Sequence, residues 1–204
     1  MTLRLAVLGD SIAYGVGAAR RSDTLASRLV RDLAAGGIPA EARVFAVPGA
    51  RSVDLGRQVR QAVSWQPGVA VIVIGANDLT RLVPADRAAA DLRMAIGELR
   101  AGGAEVVVAP APDLSVLPHV PAAMRGLVKV GSMRLRQAQA AVTIAEGGRV
   151  ADPGARASAA FARDASLFCG DRFHPSSAGY AVIAEALAPA VREAAGGAVA
   201  DRTG

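Results

Sequence analysis

Val-Ala-Val-Ile-Val-Ile, from Val69 to Ile74, is a run of six apolar residues with no polar alternation. A strand with one solvated face alternates apolar and polar residues, whereas a parallel strand covered on both faces is apolar throughout. The run stops at Gly75, and polar residues follow within two positions. The stretch therefore predicts a central strand of a parallel sheet with helices on both faces.

On either side of this run, short apolar stretches alternate with longer ones whose apolar residues recur every three or four positions, as in βα units around a parallel sheet. The predicted strands are Leu3 to Leu8, Ala42 to Val47, Val69 to Ile74, Glu105 to Ala109 and, more weakly, Arg149 to Ala151. The predicted helices are Ser22 to Ala35, Ser52 to Trp65, Ala85 to Ala101 and Ala122 to Ala145, with a last helix after Pro175. We expect a single α/β domain over residues 1–195.

Three segments do not fit this pattern. Residues 110–121, with four prolines, and residues 152–172 are predicted to be long loops, and loops of that length are often functional. After Ala194 the chain is rich in Gly and Ala, so we expect it to fray and residues 196–204 to form a flexible tail.

Composition narrows the classes of function. The formal charge of +5 comes from Arg residues scattered without interleaved aromatic residues, so we expect no nucleic-acid partner. The chain has one cysteine, Cys169, and two histidines, which is too few for an intramolecular disulfide or a closed zinc site, so we expect no metal or other cofactor.

No apolar run reaches the roughly 18 residues that span a bilayer, and the N-terminus is more typical of a strand than of a signal peptide, so we expect a cytoplasmic protein. Nothing in the sequence indicates an oligomeric state.

A candidate nucleophile follows the first predicted strand, in Gly9-Asp10-Ser11. A serine at a strand-to-helix turn exposes its hydroxyl near the amide-rich start of the helix. The alternative is that Ser11 or Asp10 only caps that helix. Gly9 to Ala13 also approximates the nucleophile elbow of α/β-hydrolases, but a single strand precedes Ser11, which argues against that fold.

A serine nucleophile needs a base, and the chain offers His119 and His174. Asp171 stands three residues before His174, a spacing that in a turn entering a helix brings a carboxylate to one ring nitrogen and leaves the other for the serine. The alternative for His174 is a capping or surface histidine. His119 lies in the proline-rich loop without a nearby acid and is interpreted as a loop or pocket-rim residue.

Acyl transfer also needs hydrogen-bond donors for the developing oxyanion. Gly49, after the second predicted strand, offers a backbone N–H, and Asn77, after the third, offers a side-chain amide. Both are also ordinary turn residues, so that interpretation stays open for each.

Four short segments, taken in order, resemble the four blocks of the SGNH (GDSL-like) hydrolase family. They are Gly9-Asp10-Ser11, Gly49, Gly75-x-Asn77-Asp78 and Asp171-x-x-His174. The resemblance spans residues 5–185 and implies a flavodoxin-like three-layer α/β/α sandwich with a five-stranded parallel sheet. It also implies carboxylic ester hydrolysis with Ser11 as nucleophile, His174 as general base and acid, and Asp171 orienting it. The implied oxyanion hole combines the backbone amides of Ser11 and Gly49 with the side chain of Asn77. Asp10 and Asp78 match positions that we interpret as structural.

The resemblance leaves the substrate and the acyl acceptor open. We expect a small soluble acyl ester or thioester, with residues 114–118 and 121–130 lining a groove for its acyl chain unless they pack a helix onto the sheet. The main alternative is an acyltransferase that uses the same triad to acylate a sugar or another alcohol. A nucleotide-binding module based on Gly15-Val16-Gly17 lacks the third glycine of the fingerprint, where Arg20 stands. A cysteine hydrolase based on Cys169 is the remaining alternative.

Overall fold

The fold is built on a sheet of five parallel strands. The structure, a computed structural model, describes residues 2–151 and 154–200. The strands are β1 (Leu3–Gly9), β2 (Ala40–Val44), β3 (Val69–Val73), β4 (Glu105–Ala109) and β5 (Arg149–Val150). They lie side by side in the order β2-β1-β3-β4-β5, and every neighbouring pair is parallel. The predicted five-stranded parallel sheet is confirmed.

Helices cover both faces of this sheet. They are α1 (Ser11–Tyr14), α2 (Leu25–Ala35), α3 (Leu55–Ser64), α4 (Ala76–Thr80), α5 (Ala85–Ala101), α6 (Ala122–Ala145), α7 (Gly154–Arg163) and α8 (Ser177–Ala200). α2 and α8 pack on one face against Leu5 and Val7 of β1, whereas α3 and α5 pack on the other face against Ala6 and Leu8. The result is the expected three-layer α/β/α sandwich, with two cores separated by the sheet.

Three predicted boundaries are wrong, each for a physical reason. The second strand is Ala40–Val44 and not Ala42 to Val47, because it lies at the sheet edge with mostly exposed side chains and has no apolar run to mark it. The predicted loop over 152–172 contains α7, whose apolar residues are alanines apart from Phe161, so that few large side chains mark its buried face; residues 152 and 153 lie outside the described residues. The tail predicted over 196–204 begins too early, since α8 runs to Ala200 and buries Ala195 and Ala198; residues 201–204 lie outside the described residues.

The carboxyl ends of the strands place the short helices α1 and α4 at one edge of the sheet, together with the loops that follow β2 and β4. Ligands of open parallel sheets bind at this edge. Among residues 2–151 and 154–200, no helix is both long enough and apolar enough to cross a membrane.

Candidate active site

The turn after β1 brings Ser11 to the carboxyl edge of the sheet. Gly9 has φ 131°, and a Cβ at this position would lie 1.8 Å from the carbonyl oxygen of Val73, so only glycine lets the chain turn so close to β3. The carboxylate of Asp10 accepts a hydrogen bond of 3.0 Å from the N–H of Ile12 and caps α1. Because Asp10 provides the cap, the hydroxyl of Ser11 is available for another partner.

That partner is His174. Its Nε2 lies 2.9 Å from Oγ of Ser11, and its Nδ1 lies 2.6 Å from Oδ2 of Asp171. Ser11 is buried, and the side chain of His174 is 19% exposed, so water has limited access to the hydrogen bond between them. The structure thus brings together three residues that are separated by up to 163 positions in the sequence.

A tight turn between α7 and α8 holds Asp171 against His174. Oδ1 of Asp171 accepts hydrogen bonds from the backbone N–H groups of Phe173 and His174, at 2.8 and 2.9 Å, and from the thiol of Cys169 at 3.1 Å. Partial burial raises the pKa of Asp171, but the hydrogen bonds from the His174 side chain and from these groups outweigh it and leave the pKa below its usual range. Asp171 is therefore a carboxylate at neutral pH.

The loops after β2 and β3 are tied to each other at the same edge. Nδ2 of Asn77 donates a hydrogen bond of 3.0 Å to the carbonyl of Ala50, which leaves the second N–H of this amide for another acceptor. The carboxylate of Asp78 accepts hydrogen bonds of 3.0 Å from both the backbone N–H and the hydroxyl of Ser52. Gly49 has φ 82° and open space beside its Cα. Asn77 and Gly49 are therefore held in one unit, next to the Ser11 turn.

Two buried carboxyl groups, Asp10 and Asp78, lie beneath these loops, each with 1% of its surface exposed. Burial, aided by the nearby charge of Asp78, raises the pKa of Asp10 to about 7. Burial also raises the pKa of Asp78, although the hydrogen bonds from Ser52 and the charge of Arg51 oppose this effect. Asp10 and Asp78 hold the backbone of Ile12 and Ser52 in place through hydrogen bonds. In the hydrogen bonds of the site, the partner of Ser11 Oγ is His174.

Two buried glutamines hold the site and were not predicted from the sequence. Gln58 on α3 accepts from the N–H of Gly9 at 2.7 Å and donates to its carbonyl at 2.9 Å. Gln139 on α6 accepts from the N–H of Ala111 at 2.7 Å and donates to the carbonyl of Ile74 at 3.1 Å. The signal that marks Gln58 is a polar residue three positions after Leu55 on the apolar face of a helix.

The remaining candidates of the sequence are not part of the hydrogen-bonded line from Ser11 to Asp171. His119 is exposed, with its ring centroid 6.1 Å from that of Phe173, as expected of a rim residue. The thiol of Cys169 donates to Asp171 and its backbone N–H donates to the carbonyl of His174, and burial raises the pKa of the thiol, which disfavours a thiolate. Gly15 ends α1 as its C-cap. Within the described part of the chain, no group of three or more His, Cys, Asp or Glu side chains is placed to hold a metal ion.

Two apolar recesses adjoin the triad. The first, here called the sheltered cavity, has a volume of about 100 Å³ and lies among Ile12, Val73, Ala109, Phe161, Phe173 and Ile183. The second, here called the open groove, has a volume of about 480 Å³ and runs along Leu82, His119, Met124, Leu127 and Val130. Of the predicted groove residues, members of 114–118 line both recesses, whereas members of 121–130 line only the open groove.

Comparison with known proteins decides the family. The model of the GDSL-like lipase/acylhydrolase family matches residues 7–182, which contain all four motif segments. The chain belongs to this family. A GDSL-like esterase of Mycobacterium tuberculosis is 36% identical to it over 196 residues, which is 94% of this chain. The chain spans 62% of the length of that relative.

Solved structures agree with the GDSL-like assignment. A lipase/acylhydrolase from Enterococcus faecalis is 25% identical with a TM-score of 0.74, and the match covers 96% of each chain. TesA is 20% identical with a TM-score of 0.77, and the match covers 94% of this chain and 99% of TesA. At that identity TesA supports the fold alone.

Proposed function

We propose that this GDSL-like chain is a serine esterase that hydrolyses a small soluble acyl ester or thioester through an acyl-enzyme on Ser11. The observation that carries the proposal is the continuous hydrogen-bonded line from Ser11 Oγ to His174 Nε2, at 2.9 Å, and from His174 Nδ1 to Asp171 Oδ2, at 2.6 Å. A nucleophile, a base and an orienting acid within hydrogen-bond reach of one another are the requirements of nucleophilic acyl transfer.

In the proposed acylation step, Oγ of Ser11 attacks the ester carbonyl while Nε2 of His174 takes the hydroxyl proton. Asp171 holds the proton of the ring on Nδ1, so that Nε2 presents its lone pair to Ser11. The same carboxylate stabilises the imidazolium that forms. His174 then delivers the proton to the leaving alcohol or thiol, and in the second half-reaction it activates a water that releases the acid.

The oxyanion is proposed to accept hydrogen bonds from the backbone N–H groups of Ser11 and Gly49 and from the second N–H of the Asn77 amide. Asn77 already uses its first N–H to bind the carbonyl of Ala50, so its orientation is fixed before the substrate arrives. Fixed donors stabilise developing charge without a cost of reorganisation during the reaction.

The substitution Ser11→Ala tests the proposal. Because no other group replaces the hydroxyl, we expect kcat on an aryl acetate to fall by at least about 10³-fold with an unchanged melting temperature. A fluorophosphonate should label Ser11 in the wild type, which mass spectrometry of the digested protein detects. The control is Cys169→Ser, which keeps a donor to Asp171 and should stay active. A Ser11→Ala variant with more than a tenth of the wild-type kcat would remove the proposal.

Acyl transfer to an alcohol is the second candidate function, favoured by the open groove beside His174. An acceptor bound there competes with water for the same acyl-enzyme, since the triad does not distinguish between the two nucleophiles. Product analysis with aryl acetate and acyl-CoA donors, with and without sugars or simple alcohols, separates the two reactions. Turnover that requires an added acceptor assigns a transferase, and unchanged release of free acid assigns a hydrolase.

A further inference from the structure

The sheltered cavity and the open groove differ in the exposure of the side chains that line them. Every described residue that lines the sheltered cavity is buried or half-buried. In contrast, Leu82, Met124, Leu127 and Val130 of the open groove are 88%, 46%, 68% and 41% exposed. Leu114, Leu117 and Phe173 line both recesses and form a shared wall between them.

Both recesses are lined by residues that lie next to the triad or to Asn77 in the sequence. In the sheltered cavity, Ile12 follows Ser11, and Phe173 and Pro175 stand on either side of His174. In the open groove, Leu79 and Thr80 belong to the same short helix, α4, as Asn77. An ester held at Ser11 therefore has one apolar recess available for each of its two arms.

We propose that the acyl arm occupies the sheltered cavity and that the alcohol arm occupies the open groove. This inference rests on the proposed role of Ser11, because the order of product release decides the assignment. When the bond from Ser11 Oγ to the acyl carbon forms, the bond from that carbon to the alcohol oxygen breaks, and the proton of Ser11 passes through His174 to the alcohol. The alcohol must then leave while the acyl group is still attached, so it belongs in the recess that is open to solvent.

The volume of the sheltered cavity sets the length of the acyl arm. A cavity of about 150 Å³ lined by apolar side chains accommodates benzene, with six carbons. The sheltered cavity, at about 100 Å³, then has room for about four carbons. We expect kcat/KM to rise about fourfold for each CH₂ up to butanoyl esters, as apolar surface is buried, and to fall for longer acyl chains.

The open groove sets no such limit on the alcohol arm. With a volume of about 480 Å³ and exposed walls, it accepts longer chains, and their partial burial adds less per carbon. We therefore expect kcat/KM for butanoate esters to rise by about two- to threefold per CH₂ from ethyl to octyl alcohol, with no sharp maximum. The substrate class is an ester of a short acyl group with a larger apolar alcohol.

The test is a grid of esters, with acyl groups from acetyl to decanoyl and alcohols from ethanol to octanol, assayed with two kinds of variant. Phe161→Ala enlarges only the sheltered cavity and should move the preferred acyl chain up by two carbons or more, with an unchanged alcohol profile. Ile183→Ala enlarges the same cavity from α8 and serves if Phe161→Ala lowers the melting temperature. Leu127→Ser should reduce the rise of kcat/KM with the length of the alcohol and leave the preferred acyl chain unchanged.

Ile144→Ser is the matched control for Leu127→Ser, because both residues lie on α6 and are 68% exposed, whereas Leu127 alone lines the groove. The inference is overturned if the wild type prefers octanoyl to butanoyl esters, or if Leu127→Ser changes the acyl profile and Phe161→Ala the alcohol profile. If Ser11→Ala is inactive but the chain-length preferences contradict the assignment of the two recesses, only this inference fails and the proposed function stands. Full activity of Ser11→Ala would instead remove the proposed function itself.

Discussion

Replacing Asp171 by asparagine keeps the shape of the side chain and exchanges one carboxylate oxygen for an NH₂ group. The structure allows two orientations of the new amide. In the first, the oxygen keeps its hydrogen bonds to the N–H groups of Phe173 and His174, and the NH₂ group faces Nδ1 of His174. Nδ1 must then accept, which places the ring proton on Nε2, where it blocks transfer from Ser11.

In the second orientation the amide oxygen faces His174 and the ring keeps the productive tautomer. The two backbone N–H groups then face an NH₂ group and lose their acceptor, at a cost of about 1 to 1.5 kcal/mol each. The productive form is therefore about 2 to 3 kcal/mol less stable, a factor of about 30 to 150. Loss of the charge that stabilises the imidazolium adds about fivefold, since the side chain of Asp171 is 46% exposed and water screens it.

We therefore expect Asp171→Asn to lower kcat by about 10² to 10³ with little change in KM. The assay is initial-rate kinetics on an aryl acetate, with the melting temperature measured in parallel. Asp164→Asn is the matched control, because Asp164 also accepts a backbone hydrogen bond, from Ser166, but lies outside the triad. A kcat above a third of the wild-type value, or an equal loss in Asp164→Asn, would refute the tautomer argument.

Three further predictions concern the surroundings of the triad. Asn77→Ala should lower kcat by about 10² to 10³ with KM unchanged, and a rise in KM at constant kcat would show that Asn77 binds the substrate instead. Folding raises the pKa of Asp10 from 3.8 to about 7, so the wild-type free energy of unfolding should fall as pH rises through this window. Asp10→Asn keeps the cap on Ile12 and should reduce this pH dependence in urea titrations at pH 4.5 and 8, while Asp78, whose pKa is also raised, keeps its share; an unchanged pH dependence would contradict the assignment. Gln58→Leu leaves the buried N–H of Gly9 without its acceptor and should lower the free energy of unfolding by about 1 to 3 kcal/mol, whereas Gln61→Leu, at an exposed position of α3, should not.

The parts of the fold that the sequence predicted well are those whose residues are buried on both sides. β3 is apolar along its length and β4 is apolar after Glu105, because helices cover both faces, and their predicted limits differ from the observed ones by at most one residue. The edge strand β2 carries Glu41 and Arg43 and is defined by its pairing with β1, which no local pattern encodes. α8 continues past Gly196-Gly197 because small residues fit against the sheet, a tertiary effect that overrides the low helix propensity of glycine.

The sequence predicted the three residues that the structure brings together, but not the residues that hold them in place. Ser11, Asp171 and His174 were found because each follows a strand or precedes a helix with a distinctive residue pattern, and the structure brings them within hydrogen-bond distance. Their catalytic roles stay predictions until the variants are measured. Gln58 and Gln139 were not predicted, because a polar residue on the apolar face of a helix does not show which backbone groups it binds, and those groups lie at least 28 positions away.

The two glutamines have a consequence for any attempt to move this site into another protein. A parallel sheet opens a crevice only where its strands separate, and at that point the backbone loses the partners that a neighbouring strand would supply. Here side-chain amides from α3 and α6 supply hydrogen-bond partners to the buried backbone at the ends of the strands, at Gly9 on one side and between Ile74 and Ala111 on the other. Grafting the loops that carry Ser11 and Asn77 onto a foreign sheet would omit the two glutamines that bind the ends of its strands. A working transplant must therefore include the two helices as well as the loops.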